Sequence, residues 1–328
     1  LIEVANISKK YGAKQALADM SIDIQAGEVV GLLGLNGAGK STAMNIMTGY
    51  IRPDSGYVKI GGYDVARDPL KAKKKLGYLP EQFSFYSDMK VEEYLDFICD
   101  IKKIKQGRKQ QIDDLCERVG ISHIRGRMIR NLSKGYRQRV GFLQALLGNP
   151  EAVILDEPTV GLDPSQIVEI RSLIRDFGEK STVVISSHIL SEVQQVCSRV
   201  VLLHNGRIIA DDTPDRLRKS MSKTNRVVAL IEADPELVKQ TLGGSNAFKT
   251  VALLGQKEPG VYEFVIEGEE SSDVRRLLFP LLAQSGLTAL SINSSEFTLE
   301  DYFLKHIGIG SADQAKTEDK EMADVVNT

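Results

Sequence analysis

The chain has 328 residues, of which 42 % are hydrophobic and 26 % charged, and it carries a formal net charge of −2. That length suggests about two domains of an ordinary globular protein. The near-neutral charge argues against a general nucleic-acid binder, which would be visibly basic, and no apolar run approaches the roughly 20 residues needed to cross a bilayer.

From Leu1 to about Ile60, the alternating runs "LIEVANI", "MSIDIQ" and "YVKIGGYDV" predict strands. Between them the apolar run "EVVGLLG" leads into "GLNGAGKST" (Gly34–Thr42) and then a helical stretch. This is the phosphate-binding pattern G-x-x-x-x-G-K-[ST]. Its glycines let successive backbone N–H groups turn inward around phosphate oxygens, and the following helix aims its positive end at the same place. The pattern assigns Lys40 to the β- and γ-phosphates and Ser41 to Mg²⁺. Tyr11, ahead of this loop in "KKYGAKQAL", offers a ring for stacking on a base, or packs on its own hairpin.

From Leu70 to about Leu147 the periodicity reads as helical, with "VEEYLDFI" and "QIDDLCERVG" as amphipathic pieces. The basic runs "KAKKK" (71–75) and "IKKIKQGRKQ" (101–110) read as solvated helix faces, with docking to a partner or anionic lipid as the alternative. Gln82 falls at the turn between the sheet core and this helical region. The stretch "NLSKGYRQRVGF" (131–142) starts a helix with Ser133 as N-cap. Lys134, Arg137 and Arg139 crowd its first two turns, where each cation costs about 0.3–1 kcal/mol against the helix dipole unless something offsets it. The arrangement calls for an anion.

Strand-like runs then alternate with helices, which implies a parallel sheet covered on its faces. "AVILDEPTVGLDP" places Asp156 and Glu157 at the carboxyl edge of that sheet, where ligands bind in open α/β folds. Neighbouring carboxylates on an extended chain point to different sides, so Asp156 fits the metal shell and Glu157 the base that polarises water. Of the four histidines only His188, after "TVVIS", is expected at such a ligand-facing strand end; His123, His204 and His306 read as surface or boundary residues and no metal-site spacing links them. Cys99, Cys116 and Cys197 read as reduced, partly buried thiols of a cytosolic protein. No signal peptide is evident, and Leu1 in place of Met suggests a start that is processed, trimmed or written from an unusual codon.

A polar, basic break falls at 218–226. After it the predicted order is strand (226–232), helix (235–242), strands (248–254 and 261–267), helix (273–284) and strand (288–293), the ferredoxin-like β-α-β-β-α-β order. A last helix, "TLEDYFLKHIG", has Thr298 and Asp301 in capping-box spacing and Gly308 as its stop. The acidic residues that follow lack periodicity and read as a disordered tail.

Together these segments closely resemble an ATP-binding-cassette (ABC) ATPase over roughly residues 2–215. "GLNGAGKST" is similar to the family's Walker A loop, Gln82 to its Q-loop glutamine, "LSKGYRQR" to its signature, "VILDE" to Walker B, "GLDP" (161–164) to the D-loop and His188 to the switch histidine. The resemblance implies an α/β P-loop NTPase cassette over residues 1–220, with a mixed sheet core, an antiparallel β subdomain and a helical subdomain. A small α+β ferredoxin-like domain (224–309) and a tail (311–328) would follow. It implies ATP and Mg²⁺ as ligands. Tyr11, Gly34, Asn36, Gly37, Gly39, Lys40, Ser41 and Thr42 would hold ATP, Gln82 would join Ser41 and Asp156 around Mg²⁺, and Asp163 would mark the D-loop.

In this family two cassettes pair head to tail, so the missing anion would be a γ-phosphate held by a second ATPase subunit, expected to be another copy of this chain. Ser133 and the Gly135 backbone would meet it. The signature usually reads LSGGQ; here Lys134 replaces a Gly, either adding a phosphate contact or pointing into solvent, and Tyr136 replaces the Gln. Arg137 and Arg139 are expected to be solvated or paired with carboxylates. Within the family the chain is most similar to ATPases of ABC-2-type exporters of the gliding-motility and drug-resistance types. These drive a separately encoded membrane permease from the cytoplasmic face of the membrane. The alternatives are an importer ATPase whose C-terminal domain senses a small molecule, and a soluble cassette acting on ribosomes or DNA.

Overall fold

In chain order the computed structural model begins with β1 (Ile2–Tyr11), β2 (Lys14–Ile24), β3 (Val29–Leu33), α1 (Lys40–Met47), β4 (Ser55–Ile60), β5 (Tyr63–Asp64), α2 (Pro69–Lys74) and β6 (Leu76–Leu79). It continues with α3 (Val91–Ile101), α4 (Arg108–Arg118), α5 (Lys134–Leu146), β7 (Ala152–Asp156), α6 (Pro164–Gly178), β8 (Thr182–Ser187), α7 (Leu190–Val196), β9 (Arg199–His204) and β10 (Arg207–Asp212). Then come α8 (Pro214–Met221), β11 (Arg226–Glu232), α9 (Pro235–Gly243), β12 (Phe248–Glu258), β13 (Val261–Gly268), α10 (Val274–Gln284) and β14 (Thr288–Ser294). The structure describes residues 1–179, 181–221, 226–245, 247–268 and 273–294. The helix expected over 298–308 and the tail expected over 311–328 lie outside them. Two compact units result, Leu1–Thr213 and Pro214–Thr328.

The central sheet of the first unit follows from three runs that are apolar on both faces. β3, β7 and β8 are buried at every residue, the pattern of parallel strands with elements packed on each side. The strand order is β10-β9-β3-β8-β7-β6, parallel except for β10. Four neighbouring strands, β3, β8, β7 and β6, therefore release their carboxyl ends side by side. A second, antiparallel sheet (β2-β1-β4-β5) alternates along its strands and turns Ile2, Val4, Ile7, Leu17 and Met20 into a core shared with Met44 and Met47 of α1.

Two expectations for the stretch 70–147 are corrected. The run is not helical throughout, because Leu76–Leu79 forms β6 on the edge of the central sheet, pairing in parallel with β7. Four residues are too few to impose a period, and the strand is defined by its neighbours. Nor is the 101–110 run a single solvated helix face: most of it is exposed, but it crosses from the end of α3 to the start of α4, and Lys102 turns inward. α3 ends at Ile101, and the Lys102 ammonium donates to the carbonyls of Gln144 and Leu147, both at 2.7 Å. It closes the carboxyl end of α5, where helix carbonyls lack internal partners, and burial pulls its pKa down to about 8.

In the second unit the strand order is β12-β13-β11-β14, antiparallel throughout. With α9 and α10 as the crossovers this is the ferredoxin-like arrangement. Val227, Ala229 and Ile231 of β11 and Phe264 and Ile266 of β13 meet Val238, Leu242 and Leu278 of the helices in one core. The three cysteines, in the first unit, are free and fully buried rather than partly so, and burial pushes the thiols up, Cys116 to about 11 and Cys197 to about 12.

β6 packs closely on α5. A β-carbon at Gly77 would stand 2.2 Å from the Ala145 carbonyl oxygen, which is backbone and cannot rotate away. Gly77→Ala is expected to cost about 1–3 kcal/mol through overpacking, read as a lower denaturant midpoint for the first unit.

A candidate nucleotide-hydrolysis site

The turn after β3 is shaped by its glycines. Gly39 has φ +110°, and a β-carbon there would lie 2.5 Å from the Ala16 carbonyl oxygen. Only glycine fits, and the chain can then enter α1 directly with Lys40 as its first residue. Lys40 is 6 % exposed; its ammonium donates to the Gly34 carbonyl at 2.7 Å and lies 3.4 Å from Glu157 Oε1.

Glu157 follows β7 with φ +48°, a left-handed conformation that costs a non-glycine residue on the order of 1–3 kcal/mol and persists only where its surroundings enforce it. The enforcement is visible. Its backbone N–H donates to Ser186 Oγ at 2.8 Å, its Oε2 is 2.9 Å from His188 Nδ1, and its Oε1 faces Lys40. The Ser186 hydroxyl in turn donates to Asp156 Oδ1. Ser186 thus aligns both carboxylate residues from the neighbouring strand. Sequence reading passed over it, although a serine closing an otherwise apolar buried strand was a signal.

A cleft of about 400 Å³ opens over these groups. Its wall includes Tyr11, Asn36, Gly37, Gly39, Lys40, Ser41, Thr42, Glu157 and His188, so most of the residues expected from sequence meet in one place. Tyr11 is 51 % exposed there, which leaves its ring free to stack. Gly34 and Asp156 do not line the cleft, although the Gly34 carbonyl accepts from Lys40. Gln82 is exposed and outside the cleft; its neighbour Glu81 lines it instead.

The signature residues and Asp163 are gathered elsewhere. Ser133 caps α5, its Oγ accepting from the Tyr136 N–H at 3.4 Å. Lys134 lays its ammonium over Gly161, and Gly135 packs against the Gln166 side chain. Arg137 donates to the Leu132 carbonyl at 3.2 Å, and Arg139 pairs with Glu169 while donating to the Val119 carbonyl. Two of the three cations at this helix start are thus held by groups of their own chain. Buried Gln138 donates to the Pro158 carbonyl at 2.8 Å, tying α5 to the turn that follows Glu157. Asp163 caps α6, and the Gln166 N–H and Ser165 hydroxyl that it accepts hold its carboxyl below the usual range.

The donor set suits a hard divalent cation. Asp156 is 3 % exposed, and burial, reinforced by the charges of Glu81 and Glu157, pushes its carboxyl up despite the Ser186 bond and nearby Lys40. Asp156 and the Ser41 hydroxyl offer oxygen ligands beside a phosphate loop, the kind of site that Mg²⁺ shares with substrate phosphates. Chemically, the cleft can wrap a polyphosphate in backbone N–H groups and set one ionisable carboxylate against it to polarise water.

Comparison with known proteins agrees with this chemistry. A family profile described as ABC transporter matches residues 17–160. The bacitracin transport ATP-binding protein BcrA of Bacillus licheniformis is 32 % identical over 95 % of this chain and 98 % of its own length. The linearmycin resistance ATP-binding protein LnrL of Bacillus subtilis is 30 % identical over 94 % of this chain and 98 % of its own. A solved ATP-binding subunit of an ABC transporter superposes with a TM-score of 0.62 at 31 % identity, covering 67 % of this chain and 93 % of that one.

Because the native state holds the Asp156 proton to higher pH than the unfolded chain does, this group removes stability as pH rises from the ordinary carboxylate range to its raised value. Asp156→Asn should therefore raise the melting temperature of the ligand-free protein at pH 7, with the gain disappearing as pH falls below the ordinary carboxylate range. It should also abolish Mg²⁺-dependent hydrolysis. Calorimetry and a phosphate-release assay read the two effects.

Proposed function

The chain belongs to the ABC transporter family as an ATP-hydrolysing cassette, and from that premise we propose that it powers export through a separate membrane permease, working as one of two cassettes that close on ATP. The observation that carries the catalytic reading is the placement of the Glu157 carboxylate between Lys40 and His188 at the mouth of the phosphate loop.

ATP would enter with its base on Tyr11 and its phosphates in the turn from Gly34 to Thr42. Lys40 neutralises charge on the outer phosphates, and Glu157 draws a proton from the attacking water. His188, oriented through Nδ1 by Glu157, lines the same cleft and contacts the γ-phosphate. Ser41 and Asp156, with Gln82 as the third expected ligand, would hold Mg²⁺, which would supply charge neutralisation of the phosphates. Ser133, Lys134 and Gly135 serve the ATP of the partner cassette, and Asp163 fixes the loop beside them. Closure on ATP would move the permease, and hydrolysis would reset it.

Export is favoured over regulated import by the relatives named for bacitracin transport and linearmycin resistance. They align over 94–95 % of this chain, and so over both units rather than the cassette alone. A position on the cytoplasmic face of the membrane follows from the same reading. Among the described residues no helix is long and apolar enough to cross a membrane. We propose cassette and accessory-domain boundaries at 1–220 and 224–309.

Glu157→Gln should keep ATP binding and slow turnover by about 10²–10⁴-fold, the range for loss of a general base; unimpaired hydrolysis would remove Glu157 from this role. Tagged protein drawn from gently solubilised membranes should bring with it a multi-span permease and no external binding protein, as identified by mass spectrometry. A binding protein in the complex would point to import, and ribosomes or DNA without any membrane protein would overturn the transport role.

A further inference from the structure

α7 begins two residues beyond His188, and it carries a carboxylate that the chemistry above does not use. Glu192 is 6 % exposed. One of its oxygens accepts the Thr159 hydroxyl, and Thr159, itself buried, comes two residues after Glu157. The other oxygen lies 3.6 Å from Arg171 Nη2 on α6, the helix capped by Asp163. Arg171 also donates from Nη1 to the Gln195 side chain on α7 at 2.9 Å. One buried carboxylate thus joins the segments that carry His188, Glu157 and Asp163.

Burying an ion pair brings a desolvation penalty, and apolar residues of similar volume commonly stabilise as well or better. A charge kept in such a place is explained more readily by where it holds its partners than by stability. Glu157 gives it something to hold, since its backbone is left-handed and its carboxylate must meet His188 at hydrogen-bond distance. The turn between them is short, with the Val160 N–H bonded to the Glu157 carbonyl and the Leu162 N–H to that of Thr159.

We propose that Glu192 is a positioning residue for ATP hydrolysis. Through Thr159 it fixes the turn after Glu157, through its own helix it fixes the His188 segment, and Arg171 anchors the pair against α6. The Glu157–His188 geometry is then set before nucleotide arrives. This rests on the reading that Glu157 and His188 act in hydrolysis.

The test is steady-state ATPase kinetics on the full chain. Thr159→Val keeps the shape and removes only the hydroxyl, and it should lower kcat roughly ten- to a hundred-fold, as small misplacements of reacting groups do, with KM for ATP nearly unchanged. Thr159→Ser should restore wild-type kcat. In a Glu157→Gln background Thr159→Val should have little further effect, because the hydroxyl acts by placing the carboxylate that is then already lost. Glu192→Gln, which keeps an acceptor for Thr159 but loses the charge facing Arg171, should fall between wild type and Thr159→Val; it serves as the test should Thr159→Val not fold. A wild-type kcat in Thr159→Val or Glu192→Gln, or an equal loss with and without the Glu157 carboxylate, would overturn the proposal. Glu157→Gln in the same assay separates the two readings. If it stays active the catalytic assignment fails, whereas if it is inactive while Thr159→Val is normal, only the positioning role fails.

Discussion

A single carboxylate, that of Glu157, faces an ammonium on one side and an imidazole on the other, and the three groups follow the ends of different strands. Nothing local in the chain could bring them together, since Lys40, Glu157 and His188 are far apart in sequence. They meet because β3, β8 and β7 are neighbours in a parallel sheet and all release their chains at the same edge. The apolar burial of those strands is therefore more than a source of stability. It fixes the separation between the Lys40 ammonium and the Glu157 carboxylate at the edge of the phosphate loop.

Much of this was legible beforehand, for physical reasons that differ from place to place. The phosphate loop is recognisable because its function is performed by backbone, which leaves a rigid requirement for glycine at set positions. The strand ends carrying Asp156 and His188 stand out because a polar residue after a wholly apolar run has few structural excuses. The second unit was readable because its strands alternate and its helices have capped starts at Asp234 and Asp273. By contrast β6 is four residues on a sheet edge whose shape is dictated by α5 and β7, and Ser186 looks like any serine until β8 is laid beside β7. Lys102 was misread with its basic neighbours because charge runs look alike in sequence, whether they face water or the open carbonyls of a distant helix end.

The crowding of cations at the start of α5 shows the same limit from the other side. Arg137 and Arg139 are compatible with a helix amino end because the long side chains carry their charge away, to the Leu132 carbonyl and to Glu169. Lys134 reaches over Gly161, which places it at the junction of the signature with the loop leading to α6. Ser133, which caps the helix, and Lys134 both remain exposed at its start. α5 is bonded at Gln138 to the Pro158 carbonyl, which ties this helix to the segment just after Glu157.

The three cysteines have a practical consequence. All are buried, and those of α4 and of the residue after α7 are held protonated well beyond neutral pH by their apolar surroundings. A thiol that is neither accessible nor ionised reacts poorly with electrophiles. The native chain is in effect its own silent background for thiol chemistry. Single cysteines introduced on exposed positions of the phosphate loop side and the signature side could be tagged with fluorophores or spin labels at neutral pH without first removing the natural ones, so the approach of two cassettes could be followed as a distance in real time.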